Sequence, residues 1–343
     1  MNKSTVKKIK NEDNTVITVT IPNNFKLYRM RTNNEFCVSA FMMDEIWGTK
    51  PEAFNDPYDT VSIYNIKKLY DYAATALNNN SNILKVLCSL NNIEVNEKSH
   101  TILGKMIVDN LNLKNNMQNQ KVSVVSCFTE KIDNEIMWSH YANNAKGFAL
   151  EYDYNELLNF GTTVEKDASE FIMNNFNFFE IESNDYKMPS TLIPVFYDNS
   201  KYDMTDYLKK VIDNEINNIK IVHIDKQELT LGKSMVNLIN STSEFWKEKT
   251  AFWKTNAYKK KDWKYEREWR LLSYNLNPFF LNMSPHYMIG NLVPTAIYLG
   301  ERISQYDKIA LIEIAKTKKI KIYQMYSKIS GKTMKLAYKE IKY

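Results

Sequence analysis

The chain has 343 residues, 44% of them hydrophobic and 25% charged, with 45 basic against 40 acidic residues and a net charge of +5. That is ordinary globular composition, long enough to bury a real core, and the charge is too small to demonstrate nucleic-acid binding and too diffuse for a membrane surface. Three widely spaced cysteines (Cys37, Cys88, Cys127) argue against a disulfide framework, and four scattered histidines against zinc. The eight glycines form neither GxGxxG nor GxxxxGK[ST], which disfavours a standard dinucleotide fold or P-loop NTPase. No apolar run approaches the roughly 18–20 residues that span a bilayer. The opening MNKSTVKKIKNEDN lacks the apolar stretch of a signal peptide, so a reducing, cytoplasmic setting without membrane partners is expected.

In chain order, residues 1–13 read as a solvated polar lead. TVITVTI (15–21) alternates as a strand does, and KLYRMR (26–31) is a second strand. NEFCVSAFMMDE (34–45) has helical spacing and gives way to IWGT; 49–60 is turn-rich, punctuated by Pro51 and Pro57. Residues 61–118 predict helices broken near NNNS and NNIEVN. KVSVVSCF (121–128), rich in β-branched residues, is the clearest early strand. A short helix (134–142), a strand (146–153), a helical then irregular stretch (154–186), a short strand (192–198) and a mostly helical block (203–256) follow. YEREWRLLSY (265–274) predicts a strand, AIYLG (296–300) another, and 306–318 an amphipathic helix. IKIYQMYSKI and TMKLAYKEI close as a hairpin around SGK. The reading is a single α+β domain over 1–343 with a central mixed or antiparallel sheet. The sheet core comes from about 15–60, 121–153, 192–198 and 263–343, with helical insertions at about 61–118 and 155–250.

Four patches carry candidate chemistry. On a strand over 263–270, Glu266, Glu268 and Arg270 share one face and Arg267, Trp269 and Leu271 the other, which meets the core. Two acids beside one base suit a site handling a cationic transition state, a metal or a proton; an exposed face with a salt bridge is the structural alternative. In AFNDPYD (53–59), Asn55, Asp56 and Asp59 are pocket groups or simply an Asx turn before Pro57. In the 125–153 unit, Ser126 and Phe128 share one face and Cys127 and Thr129 the other. Tyr141 and His140 lie on the helix; His140 is the best-placed histidine for acid–base work, though a lone histidine near aromatics is commonly structural. A Cys127–His140 nucleophile pair is the weaker reading, with nothing to orient the imidazole. Arg29, on a short strand among apolar neighbours, calls for a fixed anionic partner, a carboxylate or a ligand phosphate.

KLYRMR, IWGTKPEAFNDPYD, VSCFTE, MWSHYANNAKGFALEYD, WKYEREWRLL and AIYLG together resemble a bacterial family catalogued as domain of unknown function 2971, in order across residues 26–300. That resemblance implies a cytosolic accessory or effector protein, in some cases in an antiviral (phage-defence) or toxin setting. The order Arg29, Ser126, Glu266-x-Glu268 is more distantly similar to ADP-ribosyltransferases of the Arg–Ser–Glu type. This second resemblance implies an ADP-ribosyltransferase-like sheet and NAD as substrate. Arg29 would hold the pyrophosphate, Ser126 would position the nicotinamide ribose, and Glu268 would stabilise the oxocarbenium ion. Glu266 would serve an acceptor, a protein or nucleic acid. Asn55, Asp56, Tyr141 and Arg270 complete the expected binding set and His140 the catalytic set, with no resident metal. The middle motif departs from Ser-Thr-Ser, and Arg270 follows the acids closely.

Two other readings stand beside it. One is a Mg²⁺-dependent nuclease using Asp56, Asp59, Glu266 and Glu268, with KKKDWK (259–264) on phosphates. The other is a non-enzymatic binding or sensor module for a small anion or a peptide. In all of these, residues 26–31, 53–59, 125–141 and 263–270 are expected to converge, and Glu268→Gln to leave stability nearly unchanged.

Overall fold

The computed structural model describes residues 5–10, 16–21, 24–61, 63–162, 190–199, 203–219, 255–274 and 284–342. They form two compact units, Met1–Ala53 with Ser123–Val195 and Asp262–Tyr343, and Phe54–Val122 with Phe196–Lys261. The architecture is mixed helix and strand, an α+β chain around a mixed sheet. Among the described residues no helix is long and apolar enough to cross a membrane.

The first unit opens with β1 (Thr5–Lys10) and β2 (Val16–Ile21), paired antiparallel as a separate ribbon. The polar lead expected at 1–13 is therefore corrected in part: TVKKIK forms a strand. The main sheet uses β3 (Lys26–Arg31), β4 (Glu45–Thr49), β5 (Ser123–Thr129), β6 (Phe148–Asp153) and β7 (Ser190–Pro194). To these it adds β10 (Glu268–Tyr274), β11 (His286–Asn291), β12 (Ala296–Leu299), β13 (Lys321–Ser330) and β14 (Thr333–Glu340). Its order is β11-β4-β5-β3-β6-β12-β13-β14, with β10 pairing both β5 and β7.

Pairing at β5 shapes everything that follows. β10 runs antiparallel along it from Glu268↔Thr129 to Tyr274↔Ser123, taking one edge in full. The other edge is shared: β4 meets it at Thr49↔Val125 and β3 at Tyr28↔Thr129. Between those points β3 and β4 splay apart, and the sheet forks. Helix α1 (Glu35–Met42), N-capped by the Asn34 side chain, joins the two tines. Gly48 lets β4 lie close to β5, since a Cβ there would sit 2.5 Å from Val124 Cγ1.

One sheet face buries Leu27, Ile46, Val124, Phe128, Phe148, Trp269, Leu271 and Ile297 with Phe41 of α1 and Leu311 of α8 (Gln305–Thr317). The other buries Met30, Ala149, Ala296 and Tyr298 under Met137 and Trp138 of α5 (Glu135–Tyr141). α6 (Tyr154–Thr162) extends β6.

The second unit is a helical body with its own core. α2 (Ile66–Asn78), α3 (Ser81–Leu90), α4 (Ser99–Val122) and α7 (Thr205–Ile219) bury Leu69, Leu77, Leu87, Leu103, Leu208 and Ile212. The breaks between the first three fall at the asparagine-rich turns. The short strands β8 (Phe196–Tyr197) and β9 (Tyr258–Lys259) pair parallel within it. The parts of the helical blocks expected over 163–189 and 220–254 lie outside the described residues.

Candidate functional site

Alternation on β10 gives the site two sides. Glu268 and Arg270 face with Thr129 and Cys127 of β5; Trp269 and Leu271 face with Phe128 and Ser126. Trp269 is core: it packs on Phe25 and Tyr154 and donates from Nε1 to Glu130 Oε1 at 2.9 Å. The face assignment for 268–271 therefore holds.

Glu266 does not join that strand. Lys261–Glu266 is a 3-10 helix, and Arg267 takes a left-handed backbone, φ 45°. The expected strand over 265–274 starts at Glu268, because the left-handed residue breaks the pleat. Glu266 is nonetheless buried beside Glu268: its carbonyl accepts from Thr129 Oγ1 at 2.6 Å, and its Oε1 accepts from Tyr141 OH at 2.5 Å. Tyr141 stands on α5, which is N-capped by the Asn134 side chain. Asn134 Nδ2 also donates to the Tyr265 carbonyl at 2.5 Å, fastening helix to 3-10 turn. His140 is exposed, its Nδ1 3.5 Å from the Tyr265 hydroxyl, so its ring lies at the rim.

Glu268 is gripped from two sides of its carboxylate: Arg270 Nε donates to Oε1 at 2.8 Å and Nη2 to Oε2 at 3.2 Å. The pair is deep, with Arg270 0% and Glu268 5% exposed. The exposed salt-bridge alternative is therefore corrected to a buried, bidentate one. Such a clamp fixes the carboxylate plane, leaving little rotational freedom.

Arg29 reaches the fork. Its Nη2 donates to the Trp47 carbonyl of β4, its guanidinium lies 5.8 Å from the Phe128 ring centroid, and its Nη1 has no hydrogen-bond partner. Burial, then the neighbouring Arg31 charge, pulls its pKa down to about 9. Ser126 Oγ is buried and likewise without a partner. Since Ser126 pairs with Leu271, it faces the core side and not the Glu268 side. Thus the sheet separates the Ser126 side chain from Glu268. By the same register Arg29, next to Tyr28 of the Glu268↔Thr129↔Tyr28 row, also projects to the Ser126 side, where its guanidinium lies over Phe128.

The first unit therefore gathers Arg29, Ser126, His140, Tyr141, Glu266, Glu268 and Arg270. Asn55 and Asp56 belong to the second unit. There Asp56 Oδ1 accepts from Tyr58 N at 2.9 Å, the Asx turn expected before a proline-bounded bend, and Asp59 lies 3.6 Å from Lys259 Nζ with both side chains buried. Among the described residues no three His, Cys, Asp or Glu side chains converge as metal ligands do. Cys127 is exposed on the Arg270 side.

Residues 137–271 match the family model for a protein of unknown function, DUF2971. The DUF2971 match runs from α5 into β10. It contains His140, Tyr141, Glu266, Glu268 and Arg270, and it stops short of the full 26–300 span of the motif resemblance. No curated protein and no solved structure matches the chain.

Sequence reasoning singled out Arg29 and passed over Arg31, whose guanidinium pKa burial also lowers. The signal was present in KLYRMR: a second arginine two positions on, and so on the same strand face as Arg29.

Proposed function

We propose that the chain binds NAD and cleaves its nicotinamide glycosidic bond, passing ADP-ribose to water or to a macromolecular acceptor. The observation that carries this reading is a pair of buried carboxylates, Glu266 bonded by the Tyr141 hydroxyl and Glu268 clamped by Arg270. As the C1′–N bond breaks, nicotinamide leaves with the bonding pair, and the positive charge on the ribose would be met by Glu268, its plane held by Arg270. An acceptor O–H would attack C1′ and release its proton to Glu266, whose Oε1 accepts from the Tyr141 hydroxyl. Ser126 and Arg29, whose side chains lie on the opposite sheet face, have no part in this scheme. An effector acting on a macromolecule fits such chemistry.

The experiment is incubation of the purified chain with labelled NAD, with and without cell extract, followed by detection of free nicotinamide. Nicotinamide released by the wild-type chain and lost with Glu268→Gln is expected. Intact NAD in both arms would remove the reading.

A second reading has its own observation. Glu268 is already clasped by Arg270 at 2.8 and 3.2 Å, which suits a structural ion pair beneath a pocket that binds without cleaving. Ligand binding by the wild-type chain with no bond cleavage would favour this module.

A further inference from the structure

We infer that the outer edge of β14 is an interface at which a second copy of the chain adds its own β14 antiparallel, with Leu336 facing its twin across a two-fold axis. The inference is independent of the nucleotide reading and concerns a surface of the sheet unit alone.

Among the described residues β14 pairs only with β13 and is the last strand of the sheet. Which of its backbone groups face outward follows from one bond. Ile341 N donates to the Ile322 carbonyl at 2.8 Å, so the odd-numbered residues of β14 turn their N–H and C=O groups toward β13. Met334, Leu336, Tyr338 and Glu340 therefore turn theirs away from it. Their side chains share one sheet face, the one on which Leu336 packs against the cluster containing Met325. On that face Met334 is 58% and Tyr338 46% exposed, and Ile329, paired to Met334 from β13, is 75% exposed. An outward row of donors and acceptors beside exposed apolar side chains is an arrangement that folded chains pair or cover.

The strand is self-complementary in one register. With Leu336 opposite its twin, Met334 faces the partner's Tyr338, and Lys332, in the turn before β14, faces the partner's Glu340. Met334, Leu336 and Tyr338 each then exchange two main-chain hydrogen bonds with the residue opposite. Ile329 and Met334 of one copy continue into the partner's Tyr338 and the partner's Met325 as one apolar row. Apolar residues and opposite charges set directly across favour pairing, and like charges oppose it. The neighbouring registers do worse by that measure. Centred on Lys335, that lysine meets its twin. Centred on Ala337, Lys335 meets the partner's Lys339. Centred on Tyr338, Met334 meets the partner's Lys342 and Leu336 meets the partner's Glu340. Lys335 and Lys339 thus select the register without blocking the edge, because in it they face the partner's Ala337 and the partner's Thr333.

The test is sedimentation equilibrium of the whole chain over a range of concentrations. A monomer–dimer equilibrium is expected. Leu336→Lys sets like charges at the axis and should raise the dimer dissociation constant about tenfold or more. Leu336→Glu should do the same, and an equimolar mixture of the two variants should form a mixed dimer within about threefold of wild-type affinity. Glu340→Lys, at an exposed position, should weaken the dimer about threefold or more through the partner's Lys332, and adding Lys332→Glu to it should restore the wild-type value. That charge exchange carries the test where a change at half-buried Leu336 unfolds the hairpin. A chain that stays monomeric up to its solubility limit would overturn the inference. So would a dimer indifferent to Leu336→Lys or to Glu340→Lys in variants that melt like wild type. A mixture that stays monomeric, or a Lys332→Glu change that restores nothing, would overturn it as well.

Discussion

The Glu268–Arg270 clasp changes what a substitution at Glu268 should cost. From the sequence, a pocket acid could be exchanged with little effect on stability. In the structure, Arg270 is fully buried and takes two hydrogen bonds to that carboxylate. Removing one partner of a buried pair strands the other charge, so Glu268→Ala should cost about 3–5 kcal/mol. Glu268→Gln keeps the shape and one acceptor, and about 1–3 kcal/mol is expected. Trp269→Ala empties a core site and should cost about 3–5 kcal/mol. Denaturant unfolding of the three variants checks this order; a Glu268→Gln loss as large as that of Trp269→Ala would show that the residual amide contacts count for nothing.

Phenols make the second residue-scale prediction. Tyr298 donates to Glu151 Oε2 at 2.7 Å, and burial, then that hydrogen bond, raises its pKa. Burial and the Glu151 charge also raise Tyr28. A raised folded pKa gives stability that is complete below the unfolded phenol value of about 10 and is lost as pH climbs above it. The unfolded chain then releases protons that the folded chain keeps. Stability should therefore fall on the alkaline side of pH ~10, and Tyr298→Phe should flatten the fall. Unfolding midpoints measured across that range test the sign.

Among the elements, α5 is the one whose attachment matters most to the acids. Asn134 caps it, accepting from the backbone of Ile136 and Met137, and its amide grips the Tyr265 carbonyl. Asn134→Ala should cost about 1–2 kcal/mol. It should also loosen Tyr141 from Glu266, so ligand-dependent activity should fall by more than thermal melting of the apo chain suggests. Equal losses in both would make Asn134 a cap and nothing more. Legibility in the sequence follows the same boundaries. β5, α5, β6 and α8 announce themselves through periodicity or a cap residue, and the structure has them within a few residues. Glu266 was misplaced because the turn at Arg267 is made by a left-handed non-glycine residue, and alternation carries no sign of it. β4 and β11 were not read as strands: β4 is short and contains Gly48, which is permitted by close packing and not by propensity. Ser126 was given the right strand face, but which residues of β10 lie opposite is a matter of register, set by pairing partners far along the chain.

At the scale of the whole molecule, two separate cores predict two responses. Leu77 is fully buried in the helical unit and Leu271 in the sheet unit. Each change to alanine should cost about 2–5 kcal/mol, and calorimetry should show different parts of the unfolding profile moving in the two variants. A single transition displaced equally by both would mean that the units unfold as one. The two-unit division itself was only half visible: composition marks 61–118 as helical, but nothing local says that 196–261 returns to pack with it.

The strand order has a further consequence during synthesis. β5 is complete by Thr129, while β10, which pairs with one of its edges in full, arrives only at Glu268, after the second excursion into the helical unit. A nascent or truncated chain ending before β10 leaves that edge with unpaired N–H and C=O groups, a template on which another chain can add a strand.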